Sequence, residues 1–182
     1  MISILIGITG VIILAYSIWI LIKSRNNECV NQFTFNSEIN EIQLHSTGLY
    51  SICILGASFV NDQGKFDAEL KSDSGNLIEL NKPIFKYRFR KKGILGLEYY
   101  QFEISKSGKY FLSFKNQNEL VAKHSMLISK RIFQKRINPN SLKVLVKETI
   151  STRDRMISIV GLVIGINAVI WGILAGFLKI FE

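Results

Sequence analysis

The stretch from 156 to 181, MISIVGLVIGINAVIWGILAGFLKIF, constrains this chain more than any other, because from Ile157 to Leu178 it carries no charged side chain. A helix over that run would reach roughly 33 Å at about 1.5 Å per residue. The hydrocarbon core of a bilayer is about 30 Å thick. The run therefore predicts a transmembrane helix over 156–181. The first stretch, 1–22, is also free of charged side chains and predicts a second. No positive segment precedes it and no small-x-small cleavage pattern follows, so it reads as an uncleaved anchor rather than a signal peptide. Trp19 falls near its end, where interfacial aromatics concentrate.

Everything between these runs amounts to one ordinary domain. All but one of the 23 Lys and Arg residues, and all but one of the 14 Asp and Glu residues, lie between 23 and 155, so the middle carries the whole net charge of +9. A basic domain held against a bilayer is drawn to anionic headgroups. That makes the membrane, not nucleic acid, the expected polyanion. Cys29 and Cys53 make no disulfide framework; a single bridge between them and two unpaired thiols both fit the spacing.

The middle reads as strands over 32–147, with linkers at 23–31 and 148–155. Phe33 and Phe35 alternate with polar residues, and Ile39, Ile42 and Leu44 do so more loosely. Tyr50, Ile52 and Ile54 share a face, as do Phe66, Ala68 and Leu70. Further strands are expected at 77–80, at 84–90 with Phe85, Tyr87 and Phe89 on one face, through Tyr100, Phe102 and Ile104, through Tyr110, Leu112 and Phe114, and at 126–132 and 142–146. Turn signals fall at 61–64, 72–75, 91–93, 105–108, 116–118 and 138–140. Short strands at regular spacing indicate an antiparallel β-sandwich or barrel, giving an α+β membrane protein with two transmembrane helices enclosing one β domain.

The segment Ser107, Gly108, Lys109, Tyr110, Phe111, Leu112, Ser113, Phe114, Lys115, Asn116 resembles the Gly-x-Tyr-x-x-x-Phe-x-Asn strand of GOLD domains, the β-sandwiches of emp24/p24 cargo receptors, and Gly48-Leu49-Tyr50 gives a second echo. The resemblance implies a β-sandwich that binds proteins or lipids without catalysis. The chain departs from p24 proteins in its two bracketing spans and in lacking their disulfide pattern and coiled coil.

An enzyme needs convergent reactive groups. His45 and His124 are far apart and neither has a His, Cys or carboxylate at ligand spacing. No CxxC, HExxH, Gly-x-Ser-x-Gly or Walker-type loop occurs. The stretch 93–98 reads as a glycine-bearing turn, and Glu98 and Glu103 as solvated strand carboxylates rather than a catalytic pair. No catalytic residue, cofactor or metal is expected.

Two basic segments form the candidate binding face. Lys86, Arg88 and Arg90 fall on one side of an alternating strand, next to Lys91 and Lys92. Lys130, Arg131, Lys135 and Arg136 make a second cluster. A solvated face that discourages edge pairing explains such lysines; a face for anionic lipid or a protein partner explains them equally.

In the second apolar run, Gly161 and Gly165, and again Gly172 and Gly176, stand four apart and with Ala168 line one stripe. Ser3, Gly7, Gly10 and Ser17 form a similar stripe in the first. Small residues allow close helix contact in lipid, so these positions, together with the mid-span amide Asn167, are expected to pack the helices against each other or against further copies.

Six Lys and Arg flank the runs on the domain side (Lys23, Arg25, Lys143, Lys147, Arg153, Arg155) against Lys179 on the other. That bias predicts a cytoplasmic domain with both termini outside. The Asn-, Ile- and Lys-rich composition suggests an AT-rich genome and a bacterial inner membrane. The expected function is a non-enzymatic, membrane-tethered binding or scaffolding module. The alternative is a membrane-acting effector or immunity-type protein whose helix pair oligomerises or binds another protein's helices.

Overall fold

The computed structural model describes residues 2–25, 29–36, 38–62 and 64–178. Met1, Lys179 and the run's last residues 180–181, the linker positions 26–28 and Gln63 of the expected turn lie outside them. The described elements, in chain order, are α1 Ile2–Arg25, β1 Cys29–Thr34, β2 Asn40–Leu44, β3 Gly48–Leu55, β4 Phe59–Asp62, β5 Asp67–Ser72, β6 Leu77–Ile78, β7 Arg88–Lys91, β8 Ile94–Ile104, β9 Gly108–Lys115, β10 Leu120–Lys123, α2 Ile128–Phe133, β11 Lys143–Glu148 and α3 Thr152–Phe177. The chain divides into two compact units, Met1–Asn27 with Ile150–Glu182, and Glu28–Thr149.

In the first unit α1 and α3 are both long and apolar enough to cross a membrane. They run antiparallel: Gly7 meets Gly172 at one end and Ser17 meets Gly161 towards the other. α3 begins at Thr152, inside the expected linker. Ser151 supplies the reason, since its side chain accepts a hydrogen bond from the Asp154 backbone N–H at 3.0 Å, and Asp154 places a negative charge in the first turn. Both features favour a helix start.

The second unit is an antiparallel β structure of three sheets, with strand orders β1-β11-β3-β8-β7, β2-β9-β5-β6 and β10-β4. One apolar core draws on all three: Tyr50, Ile52, Phe102 and Val144 from the first, Ile42, Leu70, Leu112 and Phe114 from the second, Val60 and Ala122 from the third. Tyr50, Ile52 and Ile54 share this core, as do Phe66, Ala68 and Leu70.

A bulge in β8 sets the core's centre. Ile52 pairs with Tyr100 while Cys53 pairs with Glu98, which leaves Tyr99 as the extra residue. An extra residue re-aims the side chains around it. Tyr99 and Tyr100 therefore both enter the core, with ring centroids 5.0 Å apart and edge-to-face. Glu98 is turned to the opposite face. There it is fully buried and ion-paired with Lys147 at 3.1 Å, and it accepts from the Thr149 hydroxyl at 3.1 Å. Glu98 is thus not solvated, and Glu103, which is exposed, does not converge with it.

Two Gly-x-Tyr sequences repeat one local device. The Tyr50 hydroxyl donates to the Ser46 carbonyl at 2.8 Å and the Tyr110 hydroxyl to the Lys106 carbonyl at 2.6 Å. Each ring anchors the loop that leads into its own strand, the logic of a tyrosine corner. Gly48 at φ 137° and Gly108 at φ 154° begin these strands.

Several expected strands are corrected. Of the expected 84–90 strand only 88–90 falls within β7, and the chain bends at 84 and 85. The 93–98 stretch is not a turn, because β8 starts at Ile94; the turn is confined to Lys92 and Gly93, whose φ values of 46° and 82° suit a tight hairpin. Residues 126–132 are not a strand: 128–133 form α2, too short to print a 3.6-residue period. β4 and β10 went unread, and Asn61 and Asp62 belong to β4 rather than to a turn. Cys29, which opens β1 within the expected linker, is exposed; Cys53 is buried beside Ser51 at 3.4 Å, and the two are not bridged.

Candidate functional site

The helix seam is built by absence of side chains. A methyl placed on Gly10 would lie 2.8 Å from the Val169 nitrogen and 2.9 Å from the Ala168 Cβ. On Gly172 it would lie 2.6 Å from the Gly7 Cα, and on Gly165 3.0 Å from the Leu14 nitrogen. These neighbours are backbone atoms or a Cβ, which no rotamer change moves. On Gly161 it would meet the Ser17 hydroxyl at 2.5 Å. Gly7 and Gly176 are different: their added methyls would sit 3.9 Å and 3.8 Å from the nearest atom, ordinary contact distances. Ser3 and Ser17 are buried in this unit, and so are Ser158 and Ala175, two positions the glycine spacing does not reveal.

Asn167 does not belong to the seam. It is exposed, and its side-chain amide donates to the Val163 carbonyl of its own helix at 2.8 Å. The helical period explains this: two residues from Gly165 is about 200° around the axis, on the far face.

In the β unit the basic residues separate by what they touch. Lys86 is half-buried, its ammonium 4.1 Å from the Tyr99 ring centroid and 3.4 Å from the Val60 carbonyl, to which it donates. Arg88 donates from Nε to the Ser58 carbonyl at 3.0 Å. Ser58 and Val60 lie two apart, so their carbonyls share an edge. Lys86 and Arg88 do project together, but towards the domain's own backbone. Burial of Lys86 pushes its ammonium below the usual lysine range. Arg90 and Lys92 are exposed, and Lys91 is half-buried.

Beside Lys86 lies a polar cluster unread in the sequence. Asp62 accepts hydrogen bonds from the Tyr99 hydroxyl, from Lys82 at 2.9 Å and from the Gly64 N–H at 3.1 Å. The Tyr99 hydrogen bond, with Lys82, holds the Asp62 carboxyl below its usual range. Burial first, then the hydrogen bond to Asp62 and its charge, push Tyr99 above the usual tyrosine range.

The second basic cluster frames an apolar surface. Arg131 is seated over the Phe59 ring, 4.1 Å from its centroid, and its carbonyl accepts from Lys123 at 2.5 Å. The Ser125 N–H donates to the Gln134 side chain at 3.0 Å. The segment is thereby fixed at its root, yet Met126, Leu127, Ile128, Ile132 and Phe133 are exposed, Phe133 to 88%. Lys130, Lys135 and Arg136 are exposed around them. Ile84 and Phe85 form a smaller exposed apolar pair beside the first basic segment. Five apolar residues among the eight from 126 to 133 are the available signal, and they read equally well as a strand.

His45 and His124 are both exposed; one precedes β3 and the other follows β10. No protein-family model matches this chain, and no curated protein matches it.

Proposed function

We propose that this is a non-enzymatic membrane protein in which α1 and α3 span the bilayer and the β unit is a cytoplasmic binding module. The observation that carries the reading is the exposure of the two helices. A helix apolar on all sides belongs in a protein core or in a membrane. Only 11% and 17% of the most apolar windows of α1 and α3 are buried, which argues against the core. Backbone groups in both helices are bonded internally, as a span in lipid requires. The six-to-one excess of Lys and Arg on the domain side supports the cytoplasmic placement. The GOLD-like strand and its tyrosine anchor support a β-sandwich that binds rather than catalyses.

Cysteine labelling tests this. In a Cys29→Ser background, Asn61→Cys or Ser74→Cys should resist an impermeant maleimide in intact cells and react once the cells are permeabilised. Extraction of the protein from membranes by alkaline carbonate would overturn the spanning assignment; labelling in intact cells would overturn the compartment.

A second reading, association of the helix pair with further copies, is favoured by Asn167. Its bond to the Val163 carbonyl uses one donor, and the remaining hydrogen-bonding capacity of an exposed mid-helix amide is costly to leave unused in lipid. Asn167→Leu should then reduce oligomer recovered by crosslinking in membranes; unchanged recovery argues against it.

A further inference from the structure

The basic and apolar surface at 126–136 has a definite place within the β unit. The chain enters the unit at β1 and leaves it at β11, where Cys29 pairs with Lys147 and Glu148 with Tyr50. That is one end of the five-stranded sheet, on its β1 edge. α2 is rooted elsewhere. Its Arg131 sits on Phe59, and the neighbouring Ser58 holds both the Arg88 side chain of β7 and the His124 carbonyl that leads towards α2. Ser58 follows the far end of β3, where Leu55 pairs with Lys143 and Gly96. β7 is the edge opposite β1. The surface therefore occupies the corner diagonal to the chain's entry and exit: roughly 19 Å across four strand spacings and roughly 17 Å along the strands.

Its chemistry is equally specific. Positions 120–147 contain no Asp or Glu, so every charge they bring to the surface is positive. Five large apolar side chains within eight positions exceed the scattered exposure normal for a monomer surface. Met, Phe and Arg are the types enriched where proteins meet. Like charge disfavours a second copy on this face.

We infer that the 126–136 surface docks a protein segment with acidic residues on both sides of an apolar stretch. This rests on the reading of the β unit as a binding module and names the class of its partner.

The test uses the full-length chain in membranes of the cells that produce it, again with Cys29→Ser. A benzophenone is coupled to Phe133→Cys, to Ile128→Cys, to Arg90→Cys at the first basic segment, or to Ser74→Cys as a control. The expected result is one protein adduct shared by 133 and 128 and absent at 74, with a crosslinked peptide that carries Asp or Glu beside apolar residues. Adding Lys130→Glu and Lys135→Glu, both exposed, should cut its yield about tenfold. A lipid adduct, a second copy of the chain, a peptide without acidic residues, or a yield unmoved by charge reversal would each overturn the inference. An adduct at 90 with none at 133 or 128 would overturn it and leave the binding module standing. No adduct at any site would overturn both.

Discussion

Along the seam between α1 and α3 the closest approaches occur where side chains are missing, at Gly10, Gly165 and Gly172. In the β unit the corresponding place is filled by rings: Phe35, Phe66, Tyr99, Tyr100 and Phe114 stack or tilt against one another. On the membrane-spanning reading proposed above, the difference follows from the driving force available to each unit. In water, burial of apolar area stabilises, so large side chains hold a core together. In lipid, leaving the solvent gains little, and close backbone approach with its dispersion contacts does the holding. The two units should accordingly fail in opposite ways, one on truncation and the other on enlargement.

The largest effect should come from truncating the ring at the centre of the β core. Phe66 is 2% exposed and lies within 5.6 to 6.3 Å, centroid to centroid, of Phe35, Tyr99, Tyr100 and Phe114. Phe66→Ala should cost about 3–5 kcal/mol, read by thermal or denaturant unfolding of the β unit. A loss under about 1 kcal/mol would mean that the ring cluster does not hold the core.

The helix pair supplies the converse. Gly172→Ala adds one methyl against the Gly7 backbone and should destabilise the pair by about 1–3 kcal/mol. Gly176→Ala adds the same methyl at an ordinary contact distance and should stay within about 0.5 kcal/mol. Titration with a denaturing detergent, followed by helical circular dichroism, separates them. Equal effects at the two sites would break the claim that backbone approach, rather than glycine content, holds the seam.

These two regions were also unequally legible. Both long helices stand out because a charge-free run of that length has few other uses. Strands with one buried face printed their period, as at Phe66, Ala68 and Leu70. What stayed hidden was non-local. The bulge at Tyr99 breaks the alternation from which Tyr100, Phe102 and Ile104 were read, so nothing adjacent marks Tyr99 as core. The six residues of α2 carry no detectable period, and their apolar content imitates a strand. Lys86 and Arg88 looked like a binding face because their acceptors, the Val60 and Ser58 carbonyls, lie 26 and 30 positions away. Alternation placed those two side chains on one side correctly; it could not say that the side was already occupied. In the seam, glycine spacing marked the stripe, but only the distances separate Gly172 from Gly176, and only the helical angle removes Asn167.

A smaller loss than at Phe66 or Gly172 is expected at the polar edge of the β core and sharpens the comparison, because here a charge, not volume, holds two elements together. Asp62 on β4 receives Tyr99 from β8 and Lys82 from the loop after β6. Its side chain is 19% exposed, so solvent screens part of the interaction, and Asp62→Asn should cost about 1 kcal/mol near neutral pH. The sign of the pH dependence follows from the depressed carboxyl. A carboxylate held below its unfolded value, near 3.9, stabilises the fold above that pH, and its contribution fades as pH falls through the folded value. The stability gap between the natural chain and Asp62→Asn should therefore be full at pH 6–7 and close as the acid limb of the unfolding curve is entered. Lys82→Gln removes a donor but leaves Tyr99 on the carboxylate, so it should narrow this gap without abolishing it. A gap that stays constant down to pH 2 would assign the effect of Asp62→Asn to shape and hydrogen-bond count, and would remove charge from the account of this edge.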